Sequence, residues 1–65
     1  MKFTYNKKVD IVYIKLTDQP ISESDEDKPG MIIDYDRDGN VVGMEILNAS
    51  KRIPDPSNFE YETIE

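Results

Sequence analysis

The sequence predicts a mainly β protein, α+β at most. The expected fold is a small antiparallel meander of two hairpins with one short helical turn near the C-terminus, its sheet packed on a second subunit. Three observations lead there. Residues 9–16 form a run of β-branched and aromatic residues of strand length. An Asp-Gly pair, Asp38-Gly39, separates two further apolar runs. After Leu47 the two-residue alternation stops, and Asn48 precedes a stretch of helix-compatible residues.

The first hairpin is expected from residues 2–5, a turn at Asn6-Lys7-Lys8, and a second strand over residues 9–16. Asn6 suits that turn because asparagine tolerates left-handed backbone. Val12, Ile14 and Leu16 share one face of the second strand, and Ile11 and Tyr13 the other. Both faces are apolar, which predicts a central strand or one covered by a partner.

The second hairpin joins residues 31–36 to residues 41–47. With Asp38-Gly39 at the turn centre, Asp36 pairs Val41, Tyr35 pairs Val42, Ile33 pairs Met44 and Met31 pairs Ile46. One face then carries Met31, Ile33, Tyr35, Val42, Met44 and Ile46, joined by Phe3, Val12 and Ile14. The other carries Ile32, Asp34, Asp36, Val41, Gly43, Glu45 and Leu47. A one-residue slip would mix these sets, so the segregation supports the register. A type I turn with a bulge at Gly39 is the alternative, and it shifts pairing by one.

Residues 17–29 link the hairpins. Ile21, Glu23 and Asp25 alternate as in a short edge strand blunted by charge; an acidic loop is the other reading. After Leu47, Asn48 is expected to cap a helical turn over residues 49–52, which Pro54 and Pro56 terminate. Residues 1–52 thus form one small β domain. Residues 53–65 are a tail in which Phe59, Tyr61 and Thr63 alternate with Glu60, Glu62 and Ile64; it forms either a last strand or a segment that docks on a partner.

Size and composition limit the chemistry. Sixty-five residues without Cys, His or Trp allow one domain with no disulfide, no imidazole base and no thiolate or histidine metal site. Single cores below about 70–80 residues seldom supply more than ~3–5 kcal/mol, so a homo-oligomer, most simply a dimer, is a physical expectation. Net charge is −6, from 14 acids against 8 bases. Residues 1–16 carry net +3, residues 18–38 net −6 and residues 55–65 net −4. This opposes nucleic-acid binding and suits a basic protein partner. No apolar run approaches a membrane span and the first residues contain no signal-like apolar region, so a soluble cytoplasmic protein is expected.

Carboxylates are the one dense reactive group. Residues 34–45 satisfy the calcium-loop pattern, with Asp34, Asp36 and Asp38 alternating ahead of Gly39 and with Glu45 last. The hairpin register separates Glu45 from the turn by roughly 17 Å, too far to share an ion with Asp38. Hairpin and calcium loop therefore exclude each other. What remains is weak cation binding at residues 34–38, or acids that form the solvent face of a strand. Asp34, Asp36 and Glu45 also suggest acid–base catalysis, which would need a dimer cleft in so small a chain. Ser22, Ser24 and Ser50 lack a base. No catalytic, cofactor or metal residue is assigned.

Tyr5-Asn6, residues 10–16, residues 29–36 and residues 38–52 together resemble the small prokaryotic family catalogued as domain of unknown function 2283. The resemblance covers residues 1–52. Its most specific string is Asp38-Gly39, Gly43 and Glu45-Ile46-Leu47, followed by Ala49-Ser50. Asn6 stands where the family pattern has aspartate. The resemblance implies a free-standing β-meander protein with no activity to carry over. Family members encoded beside toxin-like small proteins suit an acidic neutralising partner. The leading expectation is thus a non-enzymatic interaction module, the acidic half of a toxin–antitoxin-like pair.

Overall fold

The computed structural model describes residues 1–65. Five strands form one sheet: β1 (Lys2–Asn6), β2 (Ile11–Lys15), β3 (Glu23–Lys28), β4 (Met31–Tyr35) and β5 (Val41–Leu47). One helical turn, α1 (Ala49–Arg52), follows. The spatial order is β1-β2-β5-β4-β3 and every neighbouring pair is antiparallel. Both expected hairpins form, and β2 is an interior strand. The expected second strand is shorter than residues 9–16, because Val9 and Asp10 belong to the turn. The left-handed residue of that turn is Asp10, at φ 58. Asn6 contributes through its side chain, whose Oδ1 accepts from the Lys8 and Val9 N–H groups.

In the second hairpin the body register is as expected, with Met31 opposite Ile46 and Ile33 opposite Met44. Near the turn it differs: Tyr35 pairs Val41, not Val42, and Asp36 N–H donates to the Asn40 carbonyl at 2.9 Å. Gly39 is left-handed at φ 83 and its N–H donates to the Asp36 carbonyl at 3.1 Å, the bulged turn weighed as the alternative. Val42 is the extra residue in β5 that restores the register. Its carbonyl is then free to accept from the Leu16 and Thr17 N–H groups at 2.9 and 3.3 Å.

The connection between hairpins contains β3, a strand of five charged residues and a serine that is exposed along its whole length. It is held at the outer edge by pairing with β4, and Ser22 N–H donates to the Tyr35 carbonyl at 2.7 Å. Charges suit this position, since an edge strand must not recruit another chain.

α1 closes one end of the sheet. Asn48 precedes it with left-handed backbone, at φ 53, but makes no side-chain cap. The capping comes from Asp10 instead. Its carbonyl accepts Ala49 N–H at 2.9 Å, and its carboxylate accepts Ser50 N–H at 2.9 Å and Ser50 Oγ–H at 2.7 Å. At the other end of the turn, Arg52 Nη2 donates to the Pro29 carbonyl at 2.6 Å. The helix thus clasps the β1–β2 turn to the β3–β4 turn. Arg52 lies so close over Gly30 that a Cβ there would meet its guanidinium at 2.5 Å.

The core is thin. Only Val12, Val42 and Ala49 are buried apolar residues. The molecule measures 35 × 33 × 19 Å. Its radius of gyration is 12.7 Å, against about 10.7 Å for a globular chain of this length.

Candidate functional site

Strand register defines two faces. The apolar face carries Phe3 and Tyr5 from β1, Val12 and Ile14 from β2, Met44 and Ile46 from β5, and Met31 and Ile33 from β4. The tail covers only its β1–β2 end. Ile53, Pro56 and Phe59 lie across Phe3, Tyr5, Val12, Ile14 and Ile46 and enclose a cavity of about 330 Å³. The Phe59 and Phe3 rings are 4.2 Å apart between centroids. No strand forms in residues 53–65. The tail does not reach the β4 end, where Met31, Ile33 and Tyr35 are partly buried.

The opposite face carries an arrangement that the pattern of acids did not disclose. Asp34 is not on a solvent face; it is 6 % exposed. Tyr13 Oη–H donates to its Oδ2 at 3.2 Å and Ser24 Oγ–H to its Oδ1 at 2.6 Å. The phenol reaches Asp34 by passing over Gly43 of the intervening strand. A Cβ at Gly43 would meet Tyr13 Oη at 2.8 Å and the Ile14 carbonyl at 3.1 Å. Burial, and then the Asp34 charge, push the Tyr13 pKa up, so the phenol stays a donor. A buried carboxylate is costly without donors, which explains why both hydroxyls converge on it. The triad spans four adjacent strands and fixes the acidic β3 to the sheet.

The remaining acids do not assemble into an ion site. Asp36 Oδ1 accepts the Asp38 and Asn40 N–H groups, both at 2.9 Å, while Oδ2 accepts Asn40 Nδ2 at 3.3 Å. The Asn40 N–H, foremost, holds the Asp36 pKa low, with Asp38 N–H and the Asn40 side chain adding to it against partial desolvation. Asp36 thus works as the staple of its own turn. No three acids lie close enough together to hold a metal ion. Glu45 sits opposite Tyr13 and Ile32, on the Asp34 face. Neither Asp34 nor Glu45 lines any of the four cavities.

Asp10 is the polar residue that charge counting passed over. Its carboxylate also accepts Tyr5 Oη–H at 2.7 Å. The Ser50 hydroxyl, then the Tyr5 phenol and the Ser50 N–H, lower its pKa, while the same bond raises that of Tyr5. Nothing local marks it, because its main partner is 40 residues away.

Two surfaces therefore distinguish the molecule: a partly covered apolar sheet face and an outer strand of five charged residues and a serine. No helix is long and apolar enough to cross a membrane. A small antiparallel sheet clasped by one helical turn is the class of protein this defines. The family model described as "Protein of unknown function (DUF2283)" matches residues 2–50, and the chain belongs to that family. No curated protein and no solved structure matches it.

Proposed function

We propose that the protein is a non-enzymatic interaction module that pairs with a second copy of itself. In this reading it presents its acidic edge to a basic protein, as the acidic half of a toxin–antitoxin-like pair. The observation that carries this is surface. The chain exposes 5314 Å², whereas a folded monomer of 7.5 kDa exposes about 4,250 Å². The excess of about 1,000 Å² exceeds the ~800 Å² that each partner of a standard interface buries. The exposed apolar side chains include Met1, Phe3, Phe59, Tyr61 and Ile64, while Met31, Ile33 and Tyr35 on the apolar sheet face are partly buried, and sheet-on-sheet packing would cover such a face. Asp34 and Glu45 line none of the four cavities, and Asp36, which lines two, has its carboxylate bonded within its own turn, which favours interaction over catalysis.

Sedimentation velocity across a concentration series tests the homo-association. The native chain is expected to sediment as a particle of about 15 kDa, twice its 7.5 kDa mass. Ile33→Lys, which puts a charge on the part of the apolar face that the tail does not reach, is expected to return it to monomer. A native chain that sediments as monomer with its β structure intact removes the homo-association. Co-purification from the native host tests the acidic-partner role: a basic protein is expected, and its absence counts against that half of the reading.

A further inference from the structure

The tail leaves space beneath it, and its ends are fixed. Ile53 N–H donates to the Ala49 carbonyl at 2.8 Å and anchors the strap at α1. At the far end Phe59 packs on Phe3, with ring centroids 4.2 Å apart. The chain between them is stiff. Pro54 and Pro56 hold their backbone angles, and Asp55 closes a turn. Its Oδ1 accepts Ser57 N–H at 3.2 Å and its carbonyl accepts Asn58 N–H at 3.1 Å. The strap therefore spans this end of the sheet as an arch. Below it lies the cavity of about 330 Å³, walled by Phe3, Val12, Ile14, Ile46, Ile53 and Phe59. Small-molecule sites begin near ~300 Å³ and are mostly apolar with a few polar groups. An apolar cavity of about 150 Å³ already holds benzene. The space here suits one ring with a short chain.

The rim sets the charge of what can enter. Asp55 is the one acid that lines the cavity, and no Lys or Arg lines it. Asp55 makes no ion pair, since Lys15–Asp18 is the molecule's one salt bridge. Its second carboxylate oxygen takes no hydrogen bond from the chain. The carboxylate acts on the Tyr5 corner: the Asp10 hydrogen bond foremost, then partial desolvation and the Asp10 and Asp55 charges, raise the Tyr5 pKa. Tyr5 Oη–H donates to Asp10 at 2.7 Å, so its oxygen is left to accept from a ligand. Ser57 and Asn58 at the rim are uncharged. Lys51, the cation that acts on Asp10, does not line the cavity. Residues 55–65 carry net −4. This rim repels an anion and attracts a cation.

We propose that this cavity binds a small primary amine carrying a single aromatic ring, with the ring under the arch and the ammonium at Asp55 and the Tyr5 oxygen. The inference goes beyond the interaction reading and does not rest on it, because the cavity lies at the end of the apolar face away from Ile33. The ring gains aromatic contact with Phe3 and Phe59. The ammonium gains charge-assisted hydrogen bonds. A second effect follows from the thin core, in which only Val12, Val42 and Ala49 are buried apolar residues. The amine fits the folded chain alone, so its binding adds to stability.

Titration of the native chain with phenethylammonium, followed by heteronuclear NMR, tests this. Saturable binding with Kd below about 1 mM is expected. The largest shifts are expected at Phe3, Ile14, Ile46 and Phe59, together with a raised thermal midpoint. Phenylpropanoate carries the same ring with the opposite charge, and ethylammonium the same charge with no ring. Each is expected to bind at least about tenfold more weakly. Asp55→Asn keeps an acceptor for Ser57 N–H and removes the charge; it is expected to weaken phenethylammonium by about fivefold with the β signal unchanged. Absence of saturation at about 10 mM overturns the proposal. So do shifts confined to the acidic β3, equal binding of either control compound, or an unchanged Kd in Asp55→Asn.

Discussion

The two ends of this sheet solve the same problem differently. At the β1–β2 end, the tail lays Ile53, Pro56 and Phe59 over the apolar face, and Asp10 ties the turn to Ser50. At the β3–β4 end the tail does not reach Met31, Ile33 and Tyr35, which are partly buried, and the outer strand is guarded by charge. The first end is completed by contacts distant in sequence. The second is locally stable in its pairing but leaves apolar surface over. The difference teaches that protection of an edge and burial of a face are separate tasks. Charges on β3 do the first without the second, so orderly pairing does not by itself bury a face.

Substitutions that break the link between the two ends should cost most. Gly43→Val puts a Cβ 2.8 Å from Tyr13 Oη and 3.1 Å from the Ile14 carbonyl and forces the phenol off Asp34. A loss of about 2–3 kcal/mol is expected in urea unfolding. Tyr13→Phe leaves Asp34 buried with Ser24 as its one hydroxyl donor, and a loss of about 1–2 kcal/mol is expected in the same assay. Gly30→Ala meets both a φ of +80 and the Arg52 guanidinium, so it should loosen α1 by about 1 kcal/mol. Asp27→Lys at the charged edge should stay within about 0.5 kcal/mol, because an exposed edge residue has little packing to lose. A large effect there would erase the contrast between the two ends.

Acid should loosen both the Asp10 clasp and the Asp36 turn, whose carboxyls are both held low. The Ser50 hydroxyl, Tyr5 phenol and Ser50 N–H lower the Asp10 pKa in the fold. A carboxyl with a depressed folded value adds stability that is complete above its ordinary value of 3.8 and is lost as pH falls through the lowered one. Urea midpoints should therefore drop below about pH 4. Asp10→Asn should flatten that drop while lowering the midpoint at neutral pH. An unchanged acid limb in the variant would deny Asp10 its role in holding α1.

Much of the fold was legible because its signals are local. Alternation through Ile11 to Lys15 and the Asp38-Gly39 turn are enough to place four strands and the body of the second register. The Val42 bulge escaped because alternation counts faces and a bulge breaks the count. β3 was only half visible, since an edge strand of charges carries no apolar period. Asp34 was misjudged for a related reason. Residue type suggests exposure, and only the sheet brings Tyr13 from two strands away to satisfy it. Asp10 needed the fold to bring Ser50 to it from 40 residues off. The apolar face itself was readable, but the strap over half of it was not, because Pro54 and Pro56 mark an interruption without saying where the chain goes next.

The central claim is that one chain leaves its sheet unfinished. Light scattering on the native protein at low micromolar concentration, with far-ultraviolet circular dichroism on the same sample, tests it most directly. A particle of about 15 kDa with full β signal is the predicted result, twice the 7.5 kDa chain. A 7.5 kDa particle with the same β signal would contradict it.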